Sequence, residues 1–542
     1  MNILRLFYTI KHMKLKQVFF RLKKSIVSPK NPHVIPYNVR YIGTNWQYFT
    51  FYSNNNIVDN EFEFLNKRHI VTDWNQEDIE KLWLYNLHYF DYLQSKNIYN
   101  DKKLYLINDW ILNNPYSIGN GWEPYPTSLR IVNWIKFSFK NQISKEVLDS
   151  LSLQSHSLYF NLEYHLLGNH LFANAKALIF SGTYFCGDNA SLWLAKGLSI
   201  LDSELPEQIL NDGGNFELSP MYHQTFLVDM LDLINLAHTY NTPELKCRLS
   251  HWEAISSKML SWMNLMNHPD KEVSFFNDSA IGVAPSSSEL YEYARLLNVS
   301  ESIIEPSIVT SNFRAVHLKN SAYTIVESDN LKAILDTAKI GPDYIPGHAH
   351  ADNLSFELSL FSQRIFVNSG TGEYGISKER LRQRKTAAHN TIEIDGQDSS
   401  EVWSGFRVAK RAYPLNFELN KTISDTICVQ CAHDGYFRLH GKPIHRRMWT
   451  FATNRIRVVD ELIGSYSKAI SHLHIHPDVK ITQLDSFSVS LLLLSGETIH
   501  FQSSSPITIV DTTWHPQFGL SIPNKKITFE VIKGFSEFSI HY

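Results

Sequence analysis

Two textures divide the chain. Between about residues 75 and 300, apolar positions recur at spacings of three and four in segments 78–93, 128–139, 158–180, 190–205, 221–240 and 253–266. That is the period of an amphipathic helix. Gly- and Pro-bearing stretches at 115–126, 182–188, 212–220 and 267–288, rich in Trp, Asn, His and acidic residues, read as loops between them. Antiparallel helices with polar loops at their ends suggest a helical toroid or solenoid, although no fixed-period repeat runs through the segment. Beyond about residue 305, short alternating runs take over at 322–328, 332–337, 354–361, 391–394, 455–459, 471–476, 489–494 and 527–532. Turns such as Asp395-Gly396 and Asp434-Gly435 separate some of them. Strands at this spacing without intervening helices predict an antiparallel sandwich. The expected organisation is therefore multidomain, α then β: a basic amphipathic extension (residues 1–45), a helical domain (46–300) and an antiparallel β-sandwich (305–542), with a cleft between the two domains.

Composition narrows the function classes. A net charge of −3 over 542 residues excludes a globally basic nucleic-acid binder, so no nucleic-acid partner is expected. The aromatic content of 13% supplies cores and leaves rings for stacking on sugars. Four cysteines make no disulfide framework, and Cys428 and Cys431 form a lone CxxC without a second pair. There is no run of about 18 apolar residues to span a membrane. Residues 1–27 mix Leu, Ile and Phe with seven Lys and Arg, and the apolar stretch 3–10 is interrupted by Arg5 and lacks a small-residue cleavage site. The expected localisation is cytoplasmic. The basic segment either rests on a membrane surface, peripheral to the inner membrane, or packs its apolar face on the body.

Candidate chemistry concentrates in four stretches. Residues 347–352 read Gly-His-Ala-His-Ala-Asp, and as a strand they would set His348, His350 and Asp352 on one face. Asn169 and His170 sit at the start or inside of an apolar helix. The loop from Asp212 runs past Glu217 and through Pro220 into a helix whose first turn carries Tyr222 and His223. Arg380, Arg382, Arg384, Lys385 and His389 form a cationic segment before a strand, suited to a carboxylated or sulfated ligand. Trp122, Tyr125 and Arg130 could line a sugar groove, with Trp134 read as core. His472, His474 and His476 alternate along a strand and are expected to be a hydrogen-bonded row.

These residues carry a resemblance. The stretch from Trp83 to Leu93, that from Trp122 to Trp134, the Asn169-His170 pair, the Tyr222-His223 loop, and the run from Gly347 through His389 to Asp395-Gly396 are similar to the heparinase II/III family of heparin, alginate and related polysaccharide lyases. The resemblance implies an N-terminal incomplete (α/α) toroid followed by a C-terminal antiparallel β-sandwich. It implies β-elimination at a uronic acid of an acidic polysaccharide. Asn169 and His170 take the carboxylate-neutralising position, Tyr222 gives a proton to the leaving oxygen and, for one C5 epimer, also removes the C5 proton, and His348 is the second acid/base. As a base Tyr222 would need nearby cations, such as Arg380 to Lys385 or a histidinium, to lower its pKa. Substrate contacts are expected from Trp122, Tyr125, Arg130, Glu217, His223, Tyr374, Arg380 and Arg384. The family often carries a structural zinc, and the matching positions are His350, His389 and Asn368. An Asp is expected at the last of these, and Asn is a much poorer zinc ligand. A uronyl C5-epimerase on the same fold and a non-catalytic glycan-binding protein stay open beside the lyase. Oligomeric state is not legible.

Overall fold

The computed structural model describes residues 3–26, 35–40, 45–51 and 56–542. Residues 1–2, 27–34 and 41–44 of the expected N-terminal extension lie outside the described residues. Within it, two short helices, α1 (Ile3–Ile10) and α2 (Leu15–Ile26), precede the helical domain. That domain is built from α3 (Lys81–Tyr89), α4 (Asn100–Asn113), α5 (Pro124–Ser138), α6 (Lys145–Phe160), α7 (Gly168–Tyr184), α8 (Asp188–Gln208), α9 (Pro220–Tyr240), α10 (Pro243–Met266) and α11 (Ser287–Leu296). Neighbouring helices pack α5 on α7, α7 on α8 and α9 on α10. Their core is strongly aromatic: Trp110 meets Trp134 edge-on at 5.6 Å, and Phe90 meets Trp134 at 5.3 Å. The periodic segment 158–180 proves to be two helices, α6 and α7, because Leu167 and Gly168 both take left-handed backbone there. Among the described residues, no helix is long and apolar enough to cross a membrane.

The last helix of the helical domain ends at Leu296, and the first strand of the C-terminal sheets is Ile308–Val309. Two antiparallel sheets follow. One has ten strands, ordered from Thr508–Trp514 through Ile522–Glu530, Ala469–Ile475, Gln363–Phe366, Phe356–Leu360 and Leu331–Asp336 to Ile308–Val309. The other has eight, with Ile444–Ala452, Arg455–Ile463 and Phe535–His541 at its centre. Leu358, Phe366 and Ile527 of the first sheet share one core with Val429, Trp449 and Phe538 of the second, which is the packing of a sandwich. Burial alternates strictly along Ile444–Ala452, as a half-buried strand requires. Cys428 and Cys431 are free cysteines on one strand, Ile427–His433, and the histidines at 472 and 474 are buried within hydrogen-bonding or ion-pairing distance of Lys526, Glu393 and the Ala387 carbonyl.

What joins the two domains is the connection between α10 and α11. His268 reaches Glu357 (2.9 Å), the Asn277 backbone N–H donates to Asp352 (3.1 Å), and Ser219 donates to the Asp278 carbonyl (2.5 Å). The site grows on this seam.

Candidate active site

Three helix N-termini meet at the seam. α5 and α9 each begin with proline, which loses no helix hydrogen bond there. Ser219 caps α9 by accepting from the Tyr222 N–H (3.1 Å). At the start of α7, a Cβ on Gly168 would lie 3.3 Å from Ile345 and 3.4 Å from Glu217, and φ is +56°. Glycine therefore allows the close approach that sets Asn169 and His170 in the first turn. The Tyr125 ring lies 4.4 Å from that of His170, its hydroxyl interacts with Asn169, and His170 Nδ1 is 3.1 Å from Glu163. The unpaired N–H groups and aligned dipoles of such termini favour a negative ligand.

The opposite wall departs from the strand reading of residues 347–352. The hexapeptide is a turn, and the strand begins only at Phe356. The three polar side chains are gathered by residues 277–278 instead of by strand alternation. His348 Nδ1 lies 2.9 Å from Asp278 Oδ2, His350 Nε2 lies 2.8 Å from Asp278 Oδ1, and Asp352 accepts from the Asn277 N–H. Asp278 also receives both terminal nitrogens of Arg380, one at 2.7 Å. Burial pushes its carboxyl up, but Arg380 and the two histidines outweigh this and hold it well below the usual range. Sequence reading missed Asp278, the hub of the site. It lies in the polar loop 267–288 with no neighbouring motif, and the only available signal was that loop's excess of acidic residues and Asn.

Tyr222 and His348 face each other with ring centroids 4.0 Å apart. Tyr374 links them: its hydroxyl is 3.0 Å from that of Tyr222 and 3.3 Å from His348 Nδ1. Burial, then Tyr374 and Asp278, drive the Tyr222 phenol well above its ordinary value. Arg380 was expected to lower it, yet its guanidinium is committed to Asp278. The Tyr222 phenol therefore stays protonated in the resting site. On the other side of His348, Glu217 lies 3.8 Å from Nε2. It is 2% exposed, neither carboxylate oxygen has a hydrogen-bond partner among the described residues, and burial raises its pKa.

Several expected substrate contacts are corrected. Arg130 is fully buried, donating to Gln154, the His88 carbonyl and Thr127, and lies 3.8 Å over the Trp110 ring. Trp122 packs between Trp110 and Tyr116 and donates to the Asn114 carbonyl. His223 is buried, with Nε2 2.9 Å from the Met259 carbonyl, and burial lowers its pKa to about 4. Arg380 and Arg384 belong to a short helix, α12 (Lys378–Arg384), and are fully buried. Arg384 donates to the Ala349 carbonyl (2.9 Å) and to carbonyls of Ser404 and Arg407, clamping the His348 turn. Tyr125, Glu217 and Tyr374 do come together with the four expected catalytic residues.

The zinc positions make half a site. His350 Nδ1 and His389 Nε2 face each other at 3.1 Å. Asp278 takes the proton on His350 Nε2, and the Lys385 carbonyl, 2.8 Å away, takes that on His389 Nδ1. Assigned this way, the facing nitrogens of two neutral rings both present lone pairs, and a proton or a cation between them relieves the conflict. Asn368 does not complete the set: its Oδ1 accepts from the Asn390 N–H and its Nδ2 is unpartnered among the described residues. No group of three His, Cys, Asp or Glu among the described residues could hold a metal. Two imidazoles and an amide fall short of the four ligands of a structural zinc, so the residues present do not fit that ion.

Comparison with known proteins agrees with this construction. The heparinase II/III N-terminus family model matches residues 40–303, and the heparinase II/III-like C-terminal model matches residues 310–536. A heparin-sulfate lyase of Bacteroides stercoris is 25% identical over 351 residues, 62% of this chain and 49% of that protein. Another, from Pedobacter heparinus, is 26% identical over 322 residues, 54% of this chain and 48% of that protein. The chain thus matches about half the length of these curated relatives. Among solved structures, heparinase III superposes with a TM-score of 0.69 at 18% identity, covering 88% of this chain and 80% of that one. A chondroitinase AC lyase superposes at 0.51 with 12% identity, covering 87% and 78%. These likenesses establish a helical toroid joined to an antiparallel β-sandwich. With both halves matched in order by the two domain models of one family, the chain belongs to the heparinase II/III-like family.

Proposed function

We propose that the chain is a polysaccharide lyase that cleaves a uronic-acid-containing polysaccharide by β-elimination. The observation that carries this reading is the cluster of Asn169, His170, Tyr222, Tyr374, Glu217 and His348 where three helix N-termini meet the His348 turn. The names of the curated relatives and solved neighbours support the same class.

The chemical difficulty is the C5 proton, which is barely acidic while the adjacent carboxylate is charged. The start of α7, with Asn169 and His170, offers hydrogen bonds and a favourable dipole to that carboxylate as charge moves onto it. Preorganised donors of this kind contribute about 3–4 kcal/mol each. Asp278 orients His348 with its proton on Nδ1 and its lone pair on Nε2, the nitrogen that faces Glu217. His348 Nε2 takes the C5 proton, the electron pair forms the C4–C5 double bond, and the C4–O bond breaks. Tyr222, held protonated, donates to the leaving oxygen. After product leaves, His348 Nε2 gives its proton to solvent and Tyr222 regains one, which restores the resting site. Glu217 hydrogen-bonds the sugar and so gains the partner it lacks. No step uses a metal.

Incubation with a panel of uronate polymers tests the reading, with ultraviolet absorbance of the unsaturated product as the readout. Absorbance is expected to rise on at least one polymer. Tyr222→Phe should lower the rate about 10²–10⁴-fold, the usual contribution of one acid–base group, while thermal unfolding stays near that of the parent. C5 proton exchange without any absorbance would favour the epimerase.

A further inference from the structure

The helices α1 and α2 lie over the joint between the domains. Gln17 is 2% exposed and donates to the carbonyls of Leu166 (3.5 Å) and Tyr344 (3.3 Å), three residues before Asn169 and four before His348. Lys14 pairs with Glu207 and sits 3.8 Å over the Tyr344 ring. Phe20 packs on Tyr164 at 4.7 Å, and the Trp403 indole of the β domain donates to Thr9 (3.2 Å). One face of the helix pair is therefore fastened beside the cleft.

The other face is apolar and open. Ile3, Phe7 and Ile10 fall at i, i+4 and i+7 along α1; Leu15, Val18, Phe19 and Leu22 fall at i, i+3, i+4 and i+7 along α2. Each set is one stripe on its helix. Their exposures run from 38% at Val18 to 88% at Leu15. Scattered exposed apolar residues are ordinary on a protein surface, whereas aligned stripes of large ones mark an interaction site. The stripes sit in a cationic stretch: residues 1–27 hold seven Lys and Arg, of which Lys14, Lys16 and Arg21 contact the body at Glu207, the Tyr164 ring and the His165 carbonyl, and no Asp or Glu occurs before Asp59 in a chain whose net charge is −3.

We propose that α1 and α2 dock the protein on an anionic lipid bilayer, lying in the plane of the headgroups with the two stripes immersed and the cations at the phosphates. Apolar stripes flanked by Lys and Arg are the pattern of an interfacial helix, and each basic residue near an anionic surface adds attraction. A second copy of the chain would bring the same cations and repel. A soluble polyanion would engage the cations but leave the stripes in water. Because the inner face grips residues 166 and 344, docking would hold the cleft mouth beside the bilayer. The inference is independent of the reaction proposed above.

The test is co-sedimentation of the full chain with vesicles of phosphatidylcholine mixed with phosphatidylglycerol, against vesicles of phosphatidylcholine alone. Binding to the mixed vesicles is expected to be at least about tenfold stronger. The double variant Phe7→Asp/Phe19→Asp should lose it by at least about tenfold. Both side chains are exposed (59% and 61%), so thermal unfolding of the variant should match the parent. Absence of co-sedimentation with mixed vesicles would overturn the proposal. So would equal binding by the double variant, which would reduce the effect to charge. A dimer or a soluble-polyuronate complex that the double variant abolishes, with vesicle binding unchanged, would assign the surface to those partners instead.

Discussion

Asp278 and Glu217 flank one imidazole, and their surroundings are opposite. Asp278 meets Arg380, His348 and His350 through both oxygens, and its carboxyl is held well below the ordinary range. Glu217 is equally buried, has no hydrogen-bond partner among the described residues, and is pushed up. A buried polar group without a partner costs free energy, whereas a fully hydrogen-bonded one orders its surroundings. The first carboxylate is part of the finished scaffold that orients His348. The second has no hydrogen-bond partner of its own among the described residues, and on the proposed reading the sugar supplies it.

Breaking the finished side should have the largest effect. Asp278→Asn leaves the Arg380 guanidinium buried without its counter-charge, a change that typically costs about 3–5 kcal/mol. Urea unfolding should show that loss, and uronate cleavage should fall with it. Unchanged stability would mean that Asp278 is not the hub. The opposite side should respond in the opposite sense. Glu217→Gln removes an unpaired ionisable group, so stability near neutral pH should stay level or rise by about 1 kcal/mol, while cleavage falls about tenfold or more from a lost substrate hydrogen bond.

The pH dependence sharpens the contrast. Asp278 has a folded pKa below its ordinary 3.8, so its stabilisation is present above that value and is lost as pH falls through the folded pKa. Glu217 has a folded pKa above its ordinary 4.5, so its contribution is present below that value and is lost as pH rises through the folded pKa. The advantage of Glu217→Gln over the parent should therefore grow with rising pH. The destabilisation of Asp278→Asn should shrink toward acid. Parallel stability curves for parent and variants would contradict both assignments.

The smallest effect concerns His350, which leans on the same Asp278 carboxylate. Asn368→Asp would put an acidic donor at the third zinc position that the family resemblance implies, with His350 and His389 as the other two. Zinc retained after dialysis should then rise by about tenfold or more, within the range by which metal-site residues change affinity. No change would show that position 368 does not face the histidine pair.

The sequence made the architecture legible because both periods are strong. The helical segments 190–205 and 221–240 correspond to α8 and α9, and the run 527–532 overlaps Ile522–Glu530. It failed where three-dimensional partners override local pattern. The histidines of residues 347–352 looked like a strand face, yet they converge because Asp278, about 70 residues earlier, accepts from both. Arg130 looked like a sugar-groove residue, and Arg380 and Arg384 like anion contacts, because a one-dimensional reading cannot see that each is buried with its donors committed. Tyr222 and Glu217 were legible because a helix start after a Gly- and Pro-bearing loop announces itself in sequence, whereas the Asn169-His170 pair lay within the periodic segment 158–180 and stood out only through the family resemblance.

The central claim is elimination, and product analysis in heavy-oxygen water tests it most directly. If His348 and Tyr222 act as described, both fragments of a cleaved uronate polymer form without heavy oxygen, and one carries the unsaturated uronate. Heavy oxygen in a saturated reducing-end product would show hydrolysis and contradict the account.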